Sequence, residues 1–167
     1  HNPSEYNGLK MTFNRQSLSE EQIKEVKRLT IEIHEKSTGY RQIINGFNKK
    51  YDIISNYQQK IADMFGRVGK GIKVVVDSAN ATGGIVAPQL YRDLGCEVIE
   101  LFSEPDGTFP NHHPNPSDIK TLDSIRTMVK ECNADFGIAF DGDSDRIGAI
   151  GPNGEVISGD KLLLIYA

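Results

Sequence analysis

Residues 140–146, Phe-Asp-Gly-Asp-Ser-Asp-Arg, carry Asp141, Asp143 and Asp145 at alternate positions and close on Arg146. In an extended segment alternate side chains share a face, so this spacing predicts three carboxylates crowded around one point. Two carboxylates about 4 Å apart repel by ~1 kcal/mol in water and ~4 kcal/mol near a protein surface. Three of them require a cation, protonation, or wide spacing into solvent. A calcium loop of EF-hand type is excluded, because the sixth residue from Asp141 is Arg146 rather than glycine and the twelfth is Pro152 rather than glutamate. Three hard oxygen donors with an otherwise open coordination sphere suit Mg²⁺ in phosphate chemistry. Arg146 is then a natural bidentate phosphate ligand. A solvated acidic turn, with Arg146 merely pairing with a neighbouring aspartate, stays open at this point.

Three further stretches carry chemistry-capable side chains. The opening, His-Asn-Pro-Ser-Glu-Tyr-Asn-Gly-Leu-Lys, sets His1, Asn2 and Lys10 around a loop rich in turn signals. A terminal histidine and a lysine after a turn are also ordinary solvated groups. Residues 105–116, PDGTFPNHHPNP, place His112 and His113 side by side, and adjacent side chains in extended backbone diverge. With no cysteine or third histidine at zinc spacing, the segment either lines a polar site or is a proline-stiffened loop. Residues 78–84, SANATGG, lie between a buried strand and a helix, where amides at a helix start receive anions. Glycines for close packing explain that stretch equally well, and it matches neither GxGxxG nor a P-loop.

The elements that position these groups follow from periodicity. LKMTF reads as a short strand, and Ser19 with Gln22 forms a capping box ahead of Ile23, Val26, Leu29 and Ile33 at helical spacing. A second helix covers YDIISNYQQKIADMF, and the glycine-rich GRVGKG after it marks a domain boundary. IKVVVDSA is a β-branched run expected to be buried on both faces. A helix closing on Gly95, the strand CEVIELF, a helix carrying Leu122, Ile125 and Val129, and the strand ADFGIAF follow, the last running into the aspartate loop. A hairpin at Asn153–Gly154 and a helix over SGDKLLLIYA complete the pattern. The alternation predicts an α/β fold with mixed, largely parallel sheets and flanking helices. Ligands on such sheets gather at the carboxyl ends of strands, where the aspartate loop sits.

Composition bounds the function classes. With 38% hydrophobic and 25% charged residues the 167-residue chain has the balance of a globular protein. The net charge of −4 offers no basic footprint, so nucleic acid is not expected as a partner. Residues 1–66 hold 10 basic against 8 acidic side chains and residues 67–167 hold 9 against 15, an acidic bias that agrees with a cation site. No signal peptide and no apolar run of membrane-spanning length is present, and Cys96 and Cys132 form no CxxC pair, so a cytoplasmic protein without a membrane partner is expected.

In this order, HNPSEYNGLK, GTFPNHHPNP and DGDSDR resemble the α-D-phosphohexomutase superfamily, specifically its phosphomannomutase/phosphoglucomutase branch. The resemblance spans nearly the whole chain and implies parts of two related α/β domains of a four-domain enzyme. Residues 1–51 would be the C-terminal part of the first domain with the catalytic loop at its start, 52–66 a linker helix, and 67–167 the second domain, incomplete at its C-terminus. Both ends read as cut from a longer polypeptide whose remaining domains complete the cleft. The family's phosphoserine falls just before His1, outside this sequence.

The resemblance implies that Asp141, Asp143 and Asp145 hold Mg²⁺, that Lys10 is the general acid/base with His1 beside it, and that Arg146 flanks the metal. It places Asn2, Arg146, His112 and His113 toward the phosphosugar. The implied reaction moves phosphate between O1 and O6 of a mannose or glucose phosphate through a 1,6-bisphosphate, with glucose 1,6-bisphosphate as activator. Ser144 replaces the glycine or alanine common in the family's loop, and in extended backbone it would point away from the metal. A HAD-type phosphatase does not fit, since Asp145 stands where DxDx[TV] needs Thr or Val. The alternatives are a phosphoglucosamine mutase, disfavoured by HNPSEYNG and FPNHHP, or a non-catalytic α/β module binding metal or sugar phosphate. The piece on its own is expected to be inactive.

Overall fold

The computed structural model describes residues 8–36 and 47–167. The chain divides after Tyr51 into two compact units.

In the N-terminal unit, β1 (Thr12–Phe13) and β2 (Gln16–Ser17) form an antiparallel hairpin. Its two turn residues, Asn14 and Arg15, have φ of 50° and 64°, the left-handed pair that a two-residue turn between twisted strands demands. The sequence announces β1 but not its partner, because Asn-Arg is a weak signal for that turn. Helix α1 (Glu20–Lys36) starts as the capping box predicts, with Ser19 N–H donating to Gln22 Oε1 at 2.9 Å and Gln22 N–H to Ser19 Oγ at 3.4 Å.

The second unit, Asp52–Ala167, is a three-layer α/β body. It begins with α2 (Ile53–Phe65), capped by Asp52, whose side chain accepts the Ser55 N–H at 3.0 Å. Then come β3 (Lys73–Asp77), α3 (Ala87–Asp93), β4 (Glu97–Leu101), α4 (Asp123–Glu131), β5 (Phe136–Phe140), β6 (Ile147–Ile150), β7 (Val156–Ile157) and α5 (Gly159–Tyr166). The sheet order is β4-β3-β5-β6-β7. Strand β3 runs parallel to β4 and β5, whereas β6 is antiparallel to both β5 and β7. The sheet is therefore mixed, parallel in its first half only, because the 141–146 reversal folds β6 back on β5 and the Asn153–Gly154 turn then folds β7 back on β6.

The valine run of β3 explains the layering. Val74, Val75 and Val76 are fully buried, and successive side chains face opposite layers. Val75 packs with Leu122, Ile125 and Val129 on the α4 side. Val74 and Val76 pack with Ala87 on the α3 side. Each such valine contributes roughly 1.5–3 kcal/mol by leaving water. Strand β5 approaches α4 so closely that a Cβ on Gly137 would lie 2.8 Å from Val129 Cγ2 and 2.9 Å from Ile125 Cδ1. Helix α2, expected as a connection, packs on α3, with the buried Gln58 donating Nε2 to the Val86 carbonyl at 3.0 Å. Among the described residues no helix is long and apolar enough to cross a membrane.

Candidate functional site

Strand β5 delivers the chain to the carboxyl edge of the parallel half of the sheet, and the aspartate loop, 141–146, turns it back into β6. The loop is not extended. It is built from turns, with Ser144 N–H donating to the Asp141 carbonyl at 3.2 Å and Ser144 itself at φ 62°. Alternation along a strand therefore does not crowd the carboxylates; the tight reversal does. One oxygen from each of Asp141, Asp143 and Asp145 lies within 4.8 Å of the others. The extended backbone expected at Ser144 is replaced by this left-handed turn, and its Oγ is buried against the 82–85 turn, where a Cβ on Gly83 would stand 2.8 Å from it.

The three carboxylates differ in setting. Asp141 is fully buried, while Asp143 and Asp145 are exposed. Arg146 compensates the buried charge, donating its N–H to Asp141 Oδ1 at 3.0 Å and its Nε to Oδ2 at 2.7 Å, with Nη2 also 2.7 Å from Oδ2. Its Nε lies 3.5 Å from Asp145 Oδ1. The ion pair left open by the sequence thus forms, and the guanidinium, half exposed, sits where a second cation would compete with it. The donor set fits a hard divalent ion. Ligand oxygens in octahedral Mg²⁺ stand about 3–4 Å apart, within reach of modest rotations of the two exposed aspartates.

Across the same edge, the turn after β3 is joined to the loop. Thr82 Oγ1 donates to the Gly142 carbonyl at 3.0 Å. The amides of Gly84 and Val86 donate to the carbonyls of Ala81 and Gly83. A Cβ on Gly84 would fall 1.9 Å from the Ser103 carbonyl oxygen. Close packing, rather than an anion seat, accounts for this glycine. Between α2, this turn and the loop lies an open cleft of about 390 Å³, lined by Ile54, Tyr57, Thr82, Gly83, Asp143 and Ser144 among others.

The two adjacent histidines part company. His113 is exposed, its ring tilted 6.1 Å from that of Phe109. His112 turns inward to Asp77, the fully buried last residue of β3, with Nε2 at 3.0 Å from Oδ2 and 3.2 Å from Oδ1. Its Nδ1 lies 3.1 Å from the His113 carbonyl. A ring with both nitrogens facing acceptors is satisfied only as imidazolium. The Asp77 hydrogen bond accordingly holds His112 above the ordinary imidazole range, against the opposing effect of burial. From the sequence Asp77 is not singled out, its one signal being an acidic residue that closes a run of buried valines, and Asn80 and Thr82 enter only as part of the 78–84 stretch, without a role for their side chains.

The structure thus brings Asp141, Asp143, Asp145 and Arg146 together and directs His112 to Asp77. Lys10 is exposed and belongs to the N-terminal unit, just before β1. His1 and Asn2 lie outside the described residues.

Comparison with known proteins places this geometry. Residues 54–154 match the model of phosphoglucomutase/phosphomannomutase alpha/beta/alpha domain II. The chain is 42% identical over 168 residues to a phosphomannomutase/phosphoglucomutase of Pseudomonas putida, covering all of this chain and 35% of that protein. It is 40% identical over 173 residues to a probable phosphoglucosamine mutase of Methanosphaera stadtmanae, covering all of this chain and 37% of that protein. A crystal structure of a phosphoglucomutase/phosphomannomutase family protein from Burkholderia thailandensis superposes with a TM-score of 0.80 at 34% identity, covering 99% of this chain and 35% of that one. The chain therefore spans about a third of the length of the relatives it matches. With three aspartates on the turn between β5 and β6 and the matched region enclosing them, the chain belongs to the phosphoglucomutase/phosphomannomutase family.

Proposed function

We propose that this chain supplies the catalytic loop and the metal loop of a phosphohexomutase that interconverts hexose 1-phosphate and hexose 6-phosphate, with mannose and glucose as its sugars. The observation that carries this reading is the convergence of Asp141, Asp143 and Asp145 at a strand end, with Arg146 held against them. Held there, a magnesium ion would draw charge from the phosphoryl group being moved.

The chain's own residues have separate tasks. Asp141, buried and fixed, anchors the site, and the exposed Asp143 and Asp145 adjust to close it. Arg146 offers a planar fork to a phosphate oxygen pair once its hold on Asp141 is relaxed. Lys10 takes the proton of the attacking sugar hydroxyl and returns it in the reverse step. In the forward half-reaction that hydroxyl oxygen bonds to phosphorus while the bond from phosphorus to the serine oxygen breaks, giving a 1,6-bisphosphohexose. The second half-reaction returns the other phosphate to serine. His1 and Asn2 would flank that serine, and His113 would face the phosphosugar from the 105–116 loop. The remaining domains of the same polypeptide would complete the cleft, so the present piece alone would bind Mg²⁺ weakly and turn nothing over. With both thiols free, a cytoplasmic setting is proposed.

A phosphoglucosamine mutase is the second reading, favoured by the 40% identity to the Methanosphaera protein of that name. One assay separates the two. The complete parent protein is given Mg²⁺, a trace of glucose 1,6-bisphosphate and, in turn, mannose 1-phosphate, glucose 1-phosphate and glucosamine 1-phosphate. Conversion of the first two is expected. Conversion of only the third would overturn the branch, and conversion of none would leave a metal-binding module without mutase chemistry.

A further inference from the structure

Asp77, fully buried, and His112, part-buried, form a pair that the proposed chemistry leaves without a task, yet they are linked to the aspartate loop through the 77–82 backbone, which hydrogen bonds fix at both ends. His112 Nε2 donates to Asp77 Oδ2 at 3.0 Å. Asp77 Oδ1 accepts the Ala79 N–H at 2.9 Å. Ala79 and Asn80 are consecutive non-glycine residues in the left-handed region, at φ 49° and 55°, a backbone that persists only where its surroundings over-determine it. Asn80 supplies those surroundings: its Oδ1 accepts from Asn111 Nδ2 at 2.7 Å, and its Nδ2 donates to the Glu104 carbonyl at 2.8 Å. Two residues on, Thr82 Oγ1 donates to the carbonyl of Gly142, the residue between Asp141 and Asp143.

We infer that Asp77 and His112 are positioning residues of the cation site: the pair ties the 102–116 loop to the end of β3 and, through the 79–82 turn, sets the Gly142 carbonyl and hence the spacing of Asp141 and Asp143. This rests on reading the three aspartates as a cation site. The imidazole is faced by the Asp77 carboxylate from β3, by the His113 carbonyl of its own loop, and by Phe102, whose ring stands edge-on at 5.4 Å. Its positive form makes the strongest pair, so the tie is at full strength below the ordinary imidazole range and weakens as pH rises through the raised value, when the Nε2–H bond to Asp77 remains but the charge and the Nδ1–H donor are lost.

The test uses the complete parent protein, with Mn²⁺ alone as probe and free Mn²⁺ read by electron paramagnetic resonance. His112→Gln should weaken Mn²⁺ binding roughly tenfold, as loss of an outer support of metal ligands does. Thr82→Val, at an exposed position that spares the core, should give a comparable loss even if His112→Gln perturbs folding. The double variant should be little worse than either single one, because both break one path. Wild-type affinity should fall on the alkaline side, and His112→Gln should abolish that fall. Unchanged affinity in both single variants, additive losses, or an alkaline fall retained in His112→Gln would each overturn the inference. If the wild type binds no Mn²⁺, the cation reading itself fails. Amide exchange at 142–146, normalised to intrinsic rates, then decides the positioning role: faster exchange in His112→Gln supports it and equal exchange overturns it.

Discussion

Replacing Arg146 by methionine should tighten divalent cation binding while damaging turnover. In the structure the guanidinium makes two contacts of 2.7 Å to Asp141 Oδ2, and a bound cation must share or displace them. Hydrogen bonds to charged groups are each worth ~1.5–3 kcal/mol when dry. Here both fall on one oxygen and the Arg146 side chain is 52% exposed, so solvent screening reduces the pair to about 1–2 kcal/mol. Removing that competition should raise Mn²⁺ affinity about 5- to 30-fold. Methionine keeps the apolar stem of the side chain, and the backbone N–H of residue 146 still serves Asp141 Oδ1. The measurement is a Mn²⁺ titration of the parent protein beside the mutase assay, in which loss of the phosphate fork should lower turnover about 100-fold. Equal or weaker Mn²⁺ binding in Arg146→Met would refute the reasoning. It would mean that the arginine orders Asp141 for the cation instead of competing with it.

Other substitutions probe separate links. Lys10→Met should lower turnover by about 10²- to 10⁴-fold with Mn²⁺ affinity unchanged; surviving turnover would remove Lys10 from the acid/base role. Ser144→Gly relieves a left-handed residue at φ 62° and should stabilise by about 0.5–1 kcal/mol, seen as an upward shift of the unfolding transition; a downward shift would mean that contacts of the buried hydroxyl outweigh the backbone relief. Gly137→Ala forces a methyl to within 2.8 Å of Val129 and should destabilise by about 1–3 kcal/mol in the same measurement, with neutrality showing that α4 shifts freely.

What the sequence made legible was local. The valine run of β3, the Ser19–Gln22 box and the Asn153–Gly154 turn each state their structure within a few residues, because burial period, capping and turn chemistry are short-range. The sheet's change from parallel to antiparallel was legible only in part: the hairpin signal at residue 153 governs β6 and β7, whereas the change itself falls at the 141–146 reversal between β5 and β6, which carries no hairpin signal. The crowding of the three aspartates was legible, but alternation along an extended segment is not its cause. A serine at φ 62° has no sequence signature, and it converts an apparent extended segment into a reversal. The partnership of Asp77 with His112 joins residues 35 apart, and nothing in either segment names the other.

All three carboxylates of the aspartate loop arise within five consecutive residues on a reversal between adjacent strands, whereas the contacts inferred above to position them reach back to Thr82, Asp77 and His112. Hairpins close in about 1–10 μs, and pairings between distant segments come later because they carry the larger loop-closure entropy. During folding the ligands are therefore gathered before they are trued. On the proposed reading of the three aspartates as a cation site, a chain emerging from the ribosome would hold a loose, weakly selective cation trap as soon as residue 150 is free, and selectivity for a small octahedral ion would arrive only when β3 docks against β5. Folding in the presence of a larger divalent ion should then capture that ion transiently, and refolding would be slowed by the time needed to release it.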